Sequence, residues 1–428
     1  MMESLESLAM AGTERLGIGF VGAGFITQTF HSDSLRKIRN ADAAGIMNPT
    51  VSKAEDLADE LREAGCGDPD TYDSVRGLVQ DPDVDALWIT SPNYVRVETM
   101  EMVAEELEQG NADLTGIAIE KPLARNVSKA KRVVELVERT GVAHAYLENQ
   151  VYMPSVTRLK ELLWAKGRSA GRPYLARAAE EHSGPHAAWF WDGKRQGGGV
   201  LNDMMCHSHK VNQFLLEESA AGDGDLTPVA VASDISTLKW GRDAYAEELA
   251  DEYGVDYETA PAEDYARASV FYETEDGELV VGEATNSWNF VGSGLRITVE
   301  LLGPEYSGTV NTLDTGTEVF FSDDLDEESE YYVEKQEAKE GSIPVVPDET
   351  AAYGYLDQNK HVVESFRAGE NAREDIYDGL EVVKLCMASY KAAEDGRRIE
   401  FADVDLDGYV PEPARGEFES GPAGIRPD

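Results

Sequence analysis

The run Leu16 to Thr27, LGIGFVGAGFIT, restricts most tightly what this chain can fold into. Leu16–Val21 is a short apolar stretch of the kind that forms a buried strand, and it breaks at Gly22-Ala23-Gly24-Phe25-Ile26-Thr27 before a helix. The pattern is G-x-G-x-x-G with threonine in the last place. In such a turn the first glycine permits the tight reversal. The second lets backbone N–H groups approach a pyrophosphate at the helix N-terminus. The motif alone says little, but the strand before it and the helix after it give it force. Gly22, Gly24, Phe25 and Ile26 are therefore expected to contact a dinucleotide. The third glycine usually serves helix–strand packing, which a small Thr27 can tolerate.

The unit then repeats. Ala43–Met47 reads as a strand ending at Asn48, where an acidic residue commonly holds the adenosine ribose of NAD. Asn48 can bond a hydroxyl without repelling a 2′-phosphate. No arginine stands beside it and Lys53 follows nearby, so NAD is favoured and NADP stays open. A helix over Ser52–Ala64 and another from Ser74 lead to the strand Val84–Thr90. It ends in Ser91-Pro92-Asn93, at the carboxyl edge where ligands bind in such sheets. Helix Val97–Gln109 precedes strand Gly116–Ile119 and Glu120-Lys121-Pro122, and helix Ser128–Thr140 precedes strand Val142–Glu148. This alternation predicts a parallel, doubly wound domain over 15–150.

After Gln150 the rhythm changes. A helix Pro154–Ala165 and a strand Tyr174–Glu180 lead to a loop from His182 to His186, the aromatic run Trp189-Phe190-Trp191, and QGGGVLNDMMCHSH from Gln196 to His209. Strands are then expected at Val229–Trp240, Ala266–Glu273, Leu279–Asn289, Leu295–Leu302, Gly308–Asn311 and Thr317–Phe321, a meander forming a large, mostly antiparallel open sheet. A helical region, Tyr355–Glu394, breaks near Gly369. The expected organisation is a leader over 1–14, the dinucleotide domain over 15–150, an α+β substrate and oligomerisation domain over 151–402, and an acidic Pro/Gly-rich tail over 403–428, extended or disordered. Asp323–Glu330 is expected to be a solvated acidic loop.

Asp203 and His207 are four apart and share a face if the segment is helical. Adjacent Cys206 and His207 point about 100° apart and make a poor nucleophile pair. An acid–imidazole pair on one face, opened by glycines that let a ligand come close, suits proton transfer. An acid near a helix start with a structural histidine one turn on fits the same spacing. Four of the seven histidines fall between 182 and 209. A metal held by His182, His186 and His207 is disfavoured, because Gly-Pro interrupts the first pair, and no metal is expected. The preferred explanation is a polar ligand pocket with Trp189 or Trp191 stacked on the ligand, against plain core packing of the tryptophans. Trp240 and Trp288, on strands, read as core.

Charge narrows the partners. Acidic residues number 82 against 38 basic, a net −44 spread along the chain. Such a surface repels nucleic acid and anionic membranes, so neither is expected as a partner. The balance resembles that of proteins from a salt-saturated cytoplasm, where bulk salt screens self-repulsion. Cys66, Cys206 and Cys386 form no C-x-x-C and imply no disulfide framework. The acidic N-terminus does not read as a signal peptide, and no run of about 18 apolar residues exists, so a cytoplasmic location is expected.

The glycine loop at 22–27, Pro92-Asn93, Glu120-Lys121-Pro122, and Gly198-Gly199-Val200-Leu201-Asn202-Asp203 with His207 together resemble the Gfo/Idh/MocA family of NAD(P)-dependent sugar and polyol oxidoreductases, over roughly residues 16 to 401. The resemblance implies a Rossmann domain followed by an open-sheet domain. It also implies a lysine, Lys121, touching both nicotinamide side and substrate hydroxyl, with Asp203 and His207 on the substrate. Two departures stand out: Thr27 for the third glycine, and Arg96 where the family often has histidine. Oxidising a secondary alcohol needs a hydride acceptor and a base. His207 would be the base, oriented by Asp203, with Lys121 stabilising the alkoxide; Lys121 as base is the other arrangement. Glu120 would hold the nicotinamide ribose, with Ser91, Pro92 and Asn93 beside the cofactor. His182, His186, Trp189, Trp191 and Asn202 would line the sugar. The expected function is a sugar or polyol dehydrogenase. The alternatives are an NAD-dependent redox-assisted glycosidase and a non-catalytic sugar-binding regulator. A homodimer or homotetramer through the open sheet is expected, because one face of that sheet needs a cover.

Overall fold

Two large sheets organise the computed structural model, which describes residues 15–218, 225–321, 334–336 and 341–419. The expected leader, the acidic loop Asp323–Glu330 and the last part of the tail lie outside the described residues. The chain divides into two compact units. The first holds the chain through Leu123, Arg132–Leu147 and Tyr355–Asp378; the second holds Ala124–Lys131, Glu148–Gly354 and the chain from Gly379 on.

In the first unit six strands run β1 (Leu16–Val21), β2 (Ala41–Met47), β3 (Gly67–Tyr72), β4 (Ala86–Ile89), β5 (Gly116–Glu120) and β6 (Ala143–Leu147). Their order is β3-β2-β1-β4-β5-β6, and every pairing is parallel. All six residues of β1 are buried, as a central strand covered on both faces requires. β3 was not expected: GDPDTY carries no apolar run, and it is an edge strand paired only with β2. The helix Tyr355–Ala368 returns to this unit and packs on β6 and on the turn after the glycines. Phe366 meets Trp88 edge-on at 5.7 Å and lies where a side chain at Gly116 would have to be.

The second unit is built on β7 (Leu175–Glu181), β8 (Leu226–Ser236), β9 (Tyr265–Thr274), β10 (Leu279–Ser287), β11 (Arg296–Gly303), β12 (Tyr306–Asn311) and the short β15 (Ile399–Glu400); β13 (Glu318–Phe321) and β14 (Gly341–Pro344) pair separately. The seven-stranded order is β12-β11-β7-β10-β9-β8-β15, antiparallel except where β7 runs parallel to β10. β11 alternates half-buried and buried residues along its whole length, the signature of a one-sided sheet. The helix Cys206–Leu216 covers one face, packing on β7 and β10 with every residue buried. The other face carries charged pairs: Arg177 bridges Glu283 and Glu300 at 2.7 and 3.0 Å, and Arg267 reaches Asp234.

The tail departs from expectation. Residues 403–418 are not loose: Glu412–Arg415 is helical and packs on the turn Gly193–Gln196, and Phe418 is buried. Its prolines and glycines punctuate a packed segment. Among the described residues no helix is long and apolar enough to cross a membrane.

Candidate active site

At the end of β1, Gly22 has φ +117°, and a side chain there would come within 3.0 Å of the Ser91 amide. Gly24 is the opposite case, because nothing lies within 4 Å of where its side chain would be. The turn is thus tight at its first glycine and open at its second, as a pyrophosphate cradle requires. Thr27 does more than tolerate its place. Its hydroxyl donates to Gly22 O at 2.9 Å and lies 2.8 Å from the Thr90 hydroxyl, pinning the turn to the end of β4. Phe25 and Ile26, half-buried, lead into a π-helical turn, Thr27–His31. Asn48 accepts from the Ala23 amide at 3.1 Å and donates to Thr50 O at 2.9 Å, so it braces the glycine turn from β2.

Ser91 and Asn93 are buried after β4 with Pro92 between them. Arg96 is buried as well, and its guanidinium donates to the carbonyls of Ser91, Lys121 and Pro122. The residue that stands where the family often has histidine is thus a clamp between the ends of β4 and β5. Glu120 accepts from the Lys121 amide at 2.9 Å on one oxygen and meets His31 Nε2 at 3.0 Å on the other. Burial alone would raise its carboxyl pKa. The His31 hydrogen bond and the charges of His31, Lys121 and Arg96 overturn that and hold it below the usual carboxylate range. Lys121 is half-buried.

In the second unit, Gly197 and Gly198 both have left-handed φ, +88° and +149°. Side chains at Gly198 and Gly199 would strike the Tyr390 hydroxyl at 2.0 Å and Glu263 O at 2.2 Å. These glycines were expected to admit a ligand; they admit protein. Glu263 Oε1 accepts from the amides of Gly199 (2.9 Å) and Leu201 (3.0 Å) and from Tyr390 OH. Burial pushes the Glu263 pKa up to about 7 against the lowering effect of those donors. Sequence offered no cue to this clamp, because Tyr390 lies 127 residues from Glu263.

The clamp opens a π-helical turn, Leu201–Met205, that runs into the helix Cys206–Leu216. The expected α-helical face therefore does not run unbroken from Asp203 to His207. The carboxylate on the imidazole is Glu148, whose Oε1 lies 2.5 Å from His207 Nδ1. Both are buried, Glu148 completely. Glu148, an acid on the His207 ring, is one that sequence reasoning missed. Its signal was available: an acid closing the apolar strand Val142–Glu148, as Glu120 closes β5.

The remaining residues separate. Asp203 is buried and its charge reaches His186. Desolvation and the Lys335 ammonium, 3.3 Å from Nδ1, press the His186 pKa down to about 4, although the residue is exposed overall. His182 is buried and its Nδ1 accepts from the Gly184 amide at 3.0 Å. Trp189 is half-buried, stacked on Phe190 at 3.8 Å. Trp191 corrects the expectation: it is 1% exposed, packed among Trp240, Trp288 and Tyr257, with its indole N–H on Pro185 O. A ring so enclosed has no face for a sugar. Asn202 is buried and donates to Gln196 O at 2.7 Å, closing the glycine turn. His209, fully buried against Ser389, has its pKa pressed by desolvation to about 3 and is a core histidine.

Comparison with known proteins agrees with this geometry. Residues 16–147 match the oxidoreductase family with an NAD-binding Rossmann fold, and residues 157–305 match the GFO/IDH/MocA C-terminal domain. A D-xylose dehydrogenase of Paenarthrobacter nicotinovorans is 25% identical over 222 residues, 49% of this chain and 50% of that protein. A 1,5-anhydro-D-fructose reductase of Ensifer adhaerens is 27% identical over 205 residues, 47% and 57% of the two. The chain thus aligns with about half the length of these relatives. In fold it is similar to GenD2 from gentamicin A biosynthesis, solved with NAD, at TM-score 0.72 and 23% identity, covering 91% of this chain and 97% of that one. A levoglucosan dehydrogenase solved with NADH and L-sorbose gives TM-score 0.64 at 19% identity, covering 91% and 99%. The parallel sheet with its open glycine turn and the one-sided sheet beside the Glu148–His207 pair are the two halves of one known architecture, and this chain belongs to the GFO/IDH/MocA oxidoreductase family.

Proposed function

We propose that this chain is an NAD(P)-dependent dehydrogenase acting on the CH–OH group of a sugar, polyol or sugar derivative, with NAD the favoured coenzyme. The observation that carries the reading is Glu148 on His207. A carboxylate at Nδ1 holds that nitrogen as the donor and makes Nε2 the basic nitrogen of the ring. It also stabilises the imidazolium that forms when the ring accepts a proton. When bound, the nicotinamide supplies the hydride acceptor. His207 Nε2 takes the hydroxyl proton, and Lys121 offsets the charge that develops on the oxygen. Asp203 and His186, electrostatically coupled, hold the substrate's other hydroxyls, with His182 and Trp189 on the same loop. Gly22, Gly24, Phe25, Ile26 and Ser91-Pro92-Asn93 hold the dinucleotide, and Asn48, already braced to the glycine turn, faces its ribose. The same reading has the chain working in the salt-rich interior of a halophile and assembling through its open sheet.

A panel of sugars and polyols in molar KCl, followed by nicotinamide absorbance with each coenzyme, tests the proposal. Substrate-dependent reduction of either coenzyme is the expected result. Aglycone release without net absorbance change would replace it with a redox-assisted glycosidase, and saturable sugar binding with neither signal would replace it with a regulator. Glu148→Gln, His207→Ala and Lys121→Ala are each expected to lower kcat by about 10² or more while coenzyme binding persists. Near-normal turnover in His207→Ala and Lys121→Ala together would remove these assignments. Light scattering in the same salt reads the assembly state, and a monomer at all concentrations removes the oligomer from the proposal.

A further inference from the structure

Glu148 and His207 are not the chain's only buried carboxylate–imidazole pair. His31 closes the π-helical turn after the glycines, and Glu120 ends β5. His31 Nε2 lies 3.0 Å from Glu120 Oε1, and Nδ1 lies 3.1 Å from Asn359 Oδ1. The same amide oxygen accepts the indole N–H of Trp88 at 2.8 Å, while the amide nitrogen donates to Tyr355 O at 2.8 Å. An indole nitrogen only donates and a carbonyl only accepts, so both ends of Asn359 are identified. His31 Nδ1 therefore carries a proton, and its other nitrogen faces a carboxylate. A ring between two acceptors satisfies both only as a double donor.

We propose that His31 is a positioning residue for Lys121: by donating from both ring nitrogens, to Asn359 and to Glu120, it keeps the buried Glu120 an anion, and that anion anchors the Lys121 amide and ammonium. This rests on the catalytic reading of Lys121 above. The groups that face Glu120 are the Lys121 and Arg96 cations and the His31 ring on its Oε1. Those reaching Lys121 through its backbone are Glu120, on the amide, and Arg96, on the carbonyl. Against His31 lie Glu120, Asn359 and the edge of the Tyr355 ring, centroids 5.8 Å apart. Glu120 is nearly enclosed, so desolvation favours its neutral form wherever a cation is withdrawn. Removing the charge at His31 leaves Lys121 beside a carboxyl that takes up a proton as pH falls, and the anchor fails from the acid side.

The test uses His31→Gln, which keeps a donor but not a charge, with Glu120→Gln and the double variant. The Cε1–H resonance of His31, assigned by its loss in His31→Gln, is expected at the imidazolium position in the wild type and nearer the neutral position in Glu120→Gln, both read at pH 7. In His31→Gln, kcat/KM is expected to fall at least tenfold further than wild type between pH 8 and pH 6, while staying within about threefold at pH 8. The double variant should be no worse than Glu120→Gln alone. A neutral-ring resonance in the wild type, a His31→Gln profile that overlays the wild type, or losses that multiply in the double variant would each overturn the proposal. If Lys121→Ala kept full turnover the catalytic reading would fall, but the resonance would still report whether the charged pair exists.

Discussion

The chain has two glycine-rich turns that each lead into a π-helical turn, and the glycines serve opposite ends. After β1, Gly24 faces open space and a side chain would touch nothing within 4 Å. Before the turn Leu201–Met205, Gly198 and Gly199 face Tyr390 and Glu263 at distances no side chain could occupy. The first turn is thin so that something outside the chain can come close. The second is thin because a buried carboxylate and a phenol already fill the space. A glycine run is therefore evidence of close approach and is silent about what approaches.

The sharpest way to break that contrast is Gly199→Ala. The new methyl would stand 2.2 Å from Glu263 O and 2.9 Å from the Glu263 carboxyl carbon, both held in place, so the helix start must shift. A loss of about 3 kcal/mol or more in denaturant unfolding is expected. A change within about 0.5 kcal/mol would mean the clamp is loose, and the second turn would then resemble the first. The next effect concerns Glu263 itself. Its folded pKa, about 7, lies above its ordinary value of 4.5. The folded state therefore holds the proton better than the unfolded one. This carboxyl's contribution is fully present below pH 4.5 and is lost as pH rises through about 7. Glu263→Gln removes the titration. Relative to wild type, the variant should gain roughly 3 kcal/mol on going from pH 4 to pH 8, whatever its stability at any one pH. Parallel stability–pH curves would show that Glu263 does not titrate as a buried acid.

How much was legible follows from the range of the interactions. The parallel sheet was readable strand by strand because apolar runs and glycine breaks are local, and only polar β3, defined by its neighbour β2, escaped. Lys121 and His207 were singled out from short motifs. Their holders were not: Glu148 is 59 residues from His207, and Asn359 is 328 residues from His31. Trp191 was misjudged because a tryptophan beside a histidine loop looks the same whether its faces are open or covered by Trp240 and Trp288. Arg96 stands out in sequence only as a departure from the usual histidine, and it takes the distant carbonyls of Lys121 and Pro122 to identify it as a clamp.

Smaller effects sharpen the first turn. Thr27→Val keeps the shape but loses the hydroxyl's bonds to Gly22 O and Thr90, and should cost about 1–2 kcal/mol of unfolding free energy. Thr27→Gly, which restores the usual pattern, should cost at least as much, since it loses the same bonds and glycine adds roughly a few tenths of a kcal/mol of helix penalty over threonine. If Thr27→Gly were neutral, threonine would be a tolerated substitute and not a fastener.

The smallest effect on the fold should come from Gly24→Ala, and it is the most informative. The backbone there is not left-handed and the added methyl meets nothing, so unfolding should move by no more than about 0.5 kcal/mol. The methyl does occupy the space through which a pyrophosphate would reach the backbone amides at the helix start. Affinity for NADH, read by fluorescence titration in molar KCl, should fall about tenfold, near 1.4 kcal/mol. The pairing of outcomes matters more than either alone. Loss of binding with an intact fold separates this turn from the one at Gly199, where the same methyl breaks the fold first. Unchanged binding in a stable variant would mean that the open space above Gly24 is not on the dinucleotide's path, and the two turns would no longer differ in purpose.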